Sequence, residues 1–253
     1  MDVSRTFETK NRIYTFLNPV SYLIALENKS LFEQFDGIFA DGSLLVSAIR
    51  LVYGKRVTRR SFDMTSLAPE LLNYLMESRK TLYIVASGQE QVECSVRIFQ
   101  EQYPELRIAG FRNGYFSSDA EMNKEASHIV ELIGFLIVGM GALMQEKFLL
   151  KVKKMGYQGI GFTCGGFVHQ TAMNRMHYYP NWVDKMNLRF VYRMYKEKHT
   201  RTRYLQAAFF KTIQPVCLQK CCSAQPNQMN MLMAQLYTLR ATVTLTLFCN
   251  ITA

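Results

Sequence analysis

The sequence lacks several features that would assign it to a familiar class. No stretch reaches the roughly 18 consecutive apolar residues of a membrane-spanning helix, so an integral membrane protein is not expected. The opening residues, MDVSRTFETKNR, are polar and charged and contain no apolar signal-peptide core. The expectation is a cytoplasmic protein, free or peripheral to a membrane. Six cysteines in 253 residues are too few for a disulfide framework. Cys94 and Cys164 sit among apolar residues and read as small core side chains. Cys217, Cys221 and Cys222 cluster, but the second knuckle of a zinc site is missing. The four histidines are scattered, with no HExxH spacing, so no metal site is expected. No fixed-period repeat or low-complexity tract is visible.

Acidic residues are also in deficit. Lys and Arg number 30 against 20 Asp and Glu, giving a formal net charge of +10. That balance favours an anionic partner: nucleic acid, an acidic membrane surface or a phosphorylated substrate. About half the chain, 49%, is hydrophobic, which supports a sizeable core in one large domain, with or without an appendage.

What is present is an alternation. Strands are predicted over 12–17 (RIYTFL), 35–42 (FDGIFADG), 81–87 (TLYIVAS), 106–116 (LRIAGFRNGYF, strand and turn), 132–138 and 158–166 (QGIGFTCGG). Between them helices are predicted over 20–26, 43–54, 64–78, 90–104, 119–131 and 145–154. Thr65 or Ser66 is the expected cap of the 64–78 helix. Residues 56–63, RVTRRSFD, form a basic loop. Strands alternating with helices predict an α/β fold, a mostly parallel sheet with helices on both faces. After about residue 188 the pattern changes to a basic, aromatic helical region, NLRFVYRMYKEKHTRTRYLQAAFFK. An apolar tail, MNMLMAQLYTLRATVTLTLFCNITA, follows. The expected domains are 1–187, the α/β domain, and 188–253, an appendage that is basic, then apolar, and suited to facing a membrane.

The segment LIVGMGALMQEK (136–147) concentrates the interest. A short apolar strand ends at Gly139-Met140-Gly141, and Gln145-Glu146-Lys147 opens a helix. Glycine tolerates backbone angles closed to other residues and lets a ligand approach. In open α/β sheets such a turn lies at the carboxyl end of a strand, where ligands bind. A dinucleotide fingerprint is disfavoured because Met144 stands where a third glycine is needed. The plain alternative is a tight turn followed by a solvated helix start. Asp41, ending an earlier strand, is positioned to take a proton from a hydroxyl nucleophile or simply to cap the helix beginning at Ser43. In the basic region Arg189 and Arg193 lie four apart on one helical face, with Arg201 and Arg203 beyond. Arginine forks suit phosphate oxygens, so nucleic acid, a pyrophosphate, lipid headgroups and a plain solvated face all fit.

Taken in order, TFLNP (15–19), ADG (40–42), YPELRIAGFRNGYF (103–116), VGMGALMQEK (138–147), TCGG (163–166), YYPNW (178–182) and LRFVYR (188–193) resemble the WecG/TagA/CpsF family of bacterial glycosyltransferases. The resemblance covers about residues 12–205. It implies a Rossmann-like α/β domain with a basic C-terminal helical appendage. It implies sugar transfer from a UDP-sugar, commonly UDP-N-acetylmannosamine, to a diphosphate-lipid-linked saccharide at the inner face of the cell membrane. No metal or other cofactor is expected; arginines would offset the charge on the leaving diphosphate. An anionic membrane surface is then a partner and nucleic acid is not, and a homo-oligomer is compatible with the family.

By position, Asp41 matches the proposed general base, and Asn18 matches the first-strand asparagine. Thr15 lies next to Phe16, which occupies the place of a family threonine. Gln145 and Glu146 match the pair facing the donor sugar, with Gly141, Gly165 and Gly166 in the neighbouring turns. Arg193, Arg201 and Arg203 match appendage arginines, and one of Arg56, Arg59 and Arg60 matches a loop arginine. The sequence departs from the family in three further places. Leu143 replaces a proline, Val168-His169 replaces a segment that often brings an aspartate, and Arg189-Phe190 replaces Glu-Trp. These departures indicate a separate branch. Two rivals remain at this point: a non-catalytic membrane-associated partner in polysaccharide assembly, and a nucleic-acid-binding module.

Overall fold

A computed structural model describes residues 3–132 and 134–175. Expectations about the basic helical region, its arginines Arg193, Arg201 and Arg203, the cysteine cluster and the apolar tail lie outside the described residues. The elements in chain order are α1 (Val3–Glu8), β1 (Arg12–Leu17), α2 (Pro19–Glu27), α3 (Lys29–Phe32), β2 (Gly37–Ala40), α4 (Ser43–Tyr53) and α5 (Leu67–Glu77). Then come β3 (Thr81–Ala86), α6 (Gln89–Gln102), β4 (Arg107–Arg112), α7 (Asp119–Glu131), β5 (Phe135–Gly139), α8 (Met144–Lys154), β6 (Ile160–Thr163) and α9 (Phe167–Asn174). The segment Ser43–Thr58, which holds α4, groups apart from the sheet and its helices. Within it Leu45 and Ala48 are buried, and Gly54 ends the helix at a positive φ of 66°. Among the described residues no helix is long and apolar enough to cross a membrane.

The sheet has six strands in the order β2-β1-β6-β5-β3-β4. Every pairing is parallel. The central strands β3 and β5 are buried almost throughout, as continuous apolar runs in a two-sided sheet must be. Because side chains alternate along a strand, each face collects its own core. One face joins Tyr14, Leu82, Ile84 and Ile137 to Phe7 of α1, Leu71 and Leu75 of α5, Val96 and Phe99 of α6, and Phe167 and Val168 of α9. The other joins Ile13, Val85, Leu136 and Val138 to Ala126 and Ile129 of α7 and to Phe148, Leu149 and Val152 of α8.

This layering positions the site. The chain leaves β3 for α6 on the first face, and leaves its neighbour β5 for α8 on the second. It leaves β6, the other neighbour of β5, for α9 on the first face. Adjacent strands whose connections diverge leave a crevice beyond their carboxyl ends, the usual ligand site of open α/β sheets.

At the opposite end of the strands, Asp36 ties the fold together. Its carboxylate accepts from Arg12 at 2.7 Å, from the Ile13 N–H at 2.8 Å and from Lys153. Burial pushes the Asp36 pKa up, but the three donors outweigh it and hold it below its usual 3.8. A carboxyl with a lowered folded pKa contributes stability above its unfolded value and loses it as pH falls through the folded one. Asp36→Asn is therefore expected to cost about 1–2 kcal/mol at neutral pH. The difference from wild type should shrink below the usual 3.8, as read by urea unfolding across pH.

Candidate active site

The first two strands bring Asp41 and Asn18 together. Asn18 follows β1 and caps α2: its side-chain oxygen accepts from the Val20 and Ser21 N–H groups at 2.9 and 3.0 Å. Ser21 returns the bond by accepting from the Asn18 N–H, completing a capping box. Asp41 follows β2, and its N–H donates to the Leu17 carbonyl at 2.8 Å, so Asp41 lies beside Asn18 across one strand spacing. The basic loop joins them on the far side of β2, where the Arg60 N–H donates to the Ala40 carbonyl at 3.0 Å. Arg59 reaches Ser61 and Asp63, and Arg60 pairs with Glu70 at 3.0 Å. Of the three loop arginines, Arg60 has its backbone beside the end of β2, while the guanidinium groups of Arg59 and Arg60 are held by Ser61, Asp63 and Glu70. Arg56 belongs to the segment described apart.

The last two strands supply two glycine turns. Gly141 after β5 and Gly165 after β6 have φ of 84° and 54°. No described atom lies within 4 Å of where a Cβ would stand on either, so among the described residues nothing covers these two glycines. Gly166 caps α9, whose Gln170 N–H donates to its carbonyl.

Behind these turns lies a buried polar cluster. Glu146 is 0% exposed and Gln145 4%. One Glu146 carboxylate oxygen accepts from Gln145 Nε2 at 2.8 Å and from Thr15 Oγ1 at 3.0 Å. The other accepts from the Leu143 N–H at 2.6 Å. The Gln145 amide oxygen accepts from the Gly165 N–H at 3.1 Å, and its own N–H donates to the Gly141 carbonyl. Thr15 also shares a 2.8 Å hydrogen bond with Thr163. Burial raises the Glu146 pKa above its usual 4.5, against the lowering effect of Gln145, Thr15 and the N–H donors. With the folded pKa above the unfolded one, this group's stability contribution is full at low pH and is lost as pH rises through the folded value. Ionising the enclosed carboxyl therefore lowers stability relative to low pH.

Two departures from the family pattern gain a physical reason. Phe16 points into the first core, stacked on Phe39 at 5.1 Å, whereas Thr15 points to the polar cluster. Consecutive strand residues face opposite sides, so Thr15 and Phe16 serve different faces of the sheet. Leu143 has φ of 73° and ψ of −42°, near a strained γ-turn conformation. Proline, fixed near −65°, cannot adopt it and has no N–H to give Glu146. Val168 is a fully buried core residue.

The structure thus brings Asp41, Asn18, Arg59 and Arg60 to one part of the sheet's carboxyl edge, and Thr15, Gln145, Glu146, Gly141, Gly165 and Gly166 to the neighbouring part. Sequence reasoning missed Thr163 and the Leu143 N–H. The signal for Thr163 was a hydroxyl ending an otherwise apolar buried strand, IGFT. No local signal marks the Leu143 N–H.

An α/β sheet with glycine turns at its carboxyl edge defines a broad class. Comparison narrows it. The glycosyl transferase WecG/TagA/CpsF family model matches residues 2–223, and the chain belongs to that family. It is therefore a glycosyltransferase by family. Over 205 residues it is 32% identical to the UDP-Gal:alpha-D-GlcNAc-diphosphoundecaprenol beta-1,4-galactosyltransferase of Shigella boydii, covering 80% of this chain and 86% of the relative. Over 186 residues it is 22% identical to the N-acetylglucosaminyldiphosphoundecaprenol N-acetyl-beta-D-mannosaminyltransferase of Bacillus subtilis (strain 168), covering 72% of this chain and 70% of the relative.

Proposed function

We propose that the protein transfers a hexose or N-acetylmannosamine-type sugar from a UDP-sugar to a diphosphate-lipid-linked saccharide, in building a cell-surface polysaccharide. The observation that carries this reading is the 32% identity, over most of both chains, to an enzyme named for UDP-galactose and a GlcNAc-diphosphoundecaprenol acceptor. The gathering of Asn18, Asp41 and two open glycine turns along one sheet edge supports it.

In this reading Asp41 takes the proton from the acceptor hydroxyl. The hydroxyl oxygen bonds to the anomeric carbon as the bond from that carbon to the UDP oxygen breaks. Attack opposite the leaving group inverts the anomeric configuration. Asn18, its amide oxygen committed to the helix cap, offers its NH₂ to the substrate. One of Arg56, Arg59 and Arg60, with Arg193, Arg201 and Arg203 of the appendage, offsets charge on the departing diphosphate, without a divalent cation. The same basic appendage rests on anionic lipid headgroups, which places the enzyme peripherally at the cytoplasmic face of the membrane where its acceptor lies.

Thermal unfolding tests the donor class. A ligand bound only by the native state at 100 times its Kd stabilises by about 2.7 kcal/mol. UDP is expected to raise the midpoint, and AMP and a DNA oligomer are not. A shift with DNA that vanishes with salt and none with UDP would favour a nucleic-acid-binding module instead.

A further inference from the structure

The buried cluster behind the glycine turns has no place in the displacement step as written, and its geometry is unusual for a structural filler. Glu146 is fully enclosed, yet three donors from three different places converge on its two oxygens: Thr15 from β1, Leu143 from the turn after β5, and Gln145. Through Gln145 the chain of bonds continues to the Gly165 N–H in the turn after β6. In both turns held in this way, at Gly141 and Gly165, a Cβ on the glycine would meet no described atom. One of them includes Leu143 in a positive-φ conformation that a leucine adopts only when its surroundings impose it.

We propose that Glu146 is a positioning residue: through Leu143 and Gln145 it fixes the Gly141 and Gly165 turns in the form whose backbone receives the sugar nucleotide, and it does not touch the donor itself. The assignment rests on the UDP-sugar reading above for the identity of the ligand, but not for the geometry of the strut. Three observations support it. First, both side chains of the pair face inward, with each polar end already committed to a protein partner. Second, a carboxylate accepts three convergent donors, whereas a carboxamide has one acceptor oxygen and would turn its NH₂ toward a donor. Third, burial opposes the charged form of this carboxyl, an enclosure expected of a group retained for the site rather than for the fold.

The test uses the full chain, with Glu146→Gln, Thr15→Val and Thr15→Ser beside wild type. In Glu146→Gln, kcat/KM for the UDP-sugar is expected to fall about 10²-fold, the scale of a misplacement transmitted from outside the reacting groups. Rates are measured well below each variant's ligand-free thermal midpoint, so that any loss of stability does not enter them. Thr15→Val should lose activity in the same direction, and Thr15→Ser, which keeps the hydroxyl, should recover it. Hydrogen exchange gives a readout independent of turnover: the Leu143 and Gly165 amides should exchange faster in Glu146→Gln, with those of Ile84 and Ile137 unchanged. Wild-type kcat/KM in Glu146→Gln overturns the proposal, as does unchanged protection of Leu143 and Gly165. If Glu146→Gln does not fold, equal rates for Thr15→Val and Thr15→Ser overturn it. A wild-type chain that moves no sugar, while Glu146→Gln still loosens those two amides, counts against the UDP-sugar reading and leaves the strut standing.

Discussion

Asp41→Asn is expected to lower the rate of sugar transfer by about 10²–10⁴-fold, the usual loss when a general base is removed. Asparagine has nearly the same shape, and the backbone bond from residue 41 to the Leu17 carbonyl is independent of the side chain. The end of β2 should therefore keep its place. What the carboxamide cannot do is accept a proton. The loss belongs in kcat, with little change in the thermal shift produced by UDP, because UDP binding needs no base. A variant with full activity would remove Asp41 from the chemistry and leave it a helix-capping role. A variant that also stops responding to UDP would mean that Asp41 serves donor binding instead.

Gly139→Ala is expected to damage both stability and activity. A Cβ at residue 139 would lie 2.6 Å from the Gly165 carbonyl oxygen, 2.8 Å from Cys164 Sγ and 3.1 Å from Ala86 Cβ. The first of these is main chain and cannot rotate aside. Overpacking of this kind costs about 1–3 kcal/mol, which for a chain of this size lowers the thermal midpoint by roughly 2–12 °C. Relief must come from moving the Gly165 turn, which is bonded to Gln145. Activity measured well below the midpoint should therefore also fall. Calorimetry and initial rates on the same preparation separate the two effects. Full activity with a lowered midpoint would show that the Gly165 turn tolerates displacement.

The fold was legible where local pattern and burial agree. RIYTFL and TLYIVA are β-branched or aromatic runs with sharp boundaries, and both form strands over those residues. The glycine-bounded run before Gly139 was legible as a doubly buried strand, but its start was not. Leu132 closes α7 and the strand begins at Phe135, because a helix end and a buried strand both favour leucine. Ser66 stands at the N-cap position of α5 as expected, yet its side chain makes no cap bond there. Asp63, three residues earlier, takes the Thr65 N–H and hydroxyl instead. Helix α9 was missed because its sequence, FVHQTAMN, carries no strong cap or charge pattern after the paired glycines.

The placement of the candidate residues at strand ends was legible, and their orientation was not. Asp41 and the Gln145-Glu146 pair follow strand ends, and parallel strands bring their ends to one edge. That Gln145 faces inward was nevertheless written in the spacing. It lies three, four and seven residues before Phe148, Leu149 and Val152, the buried stripe of α8. The bond from Thr15 to Glu146 joins residues 131 apart. Only tertiary structure could supply it.

The most direct measurement of the account is a product mass. Full-length protein would be incubated with a panel of UDP-sugars and a short-chain GlcNAc-diphosphate-lipid acceptor, and the acceptor analysed by mass spectrometry. The account predicts one added sugar from one donor, joined with inverted anomeric configuration. An acceptor unchanged by every donor, from protein that UDP does not stabilise, would contradict it.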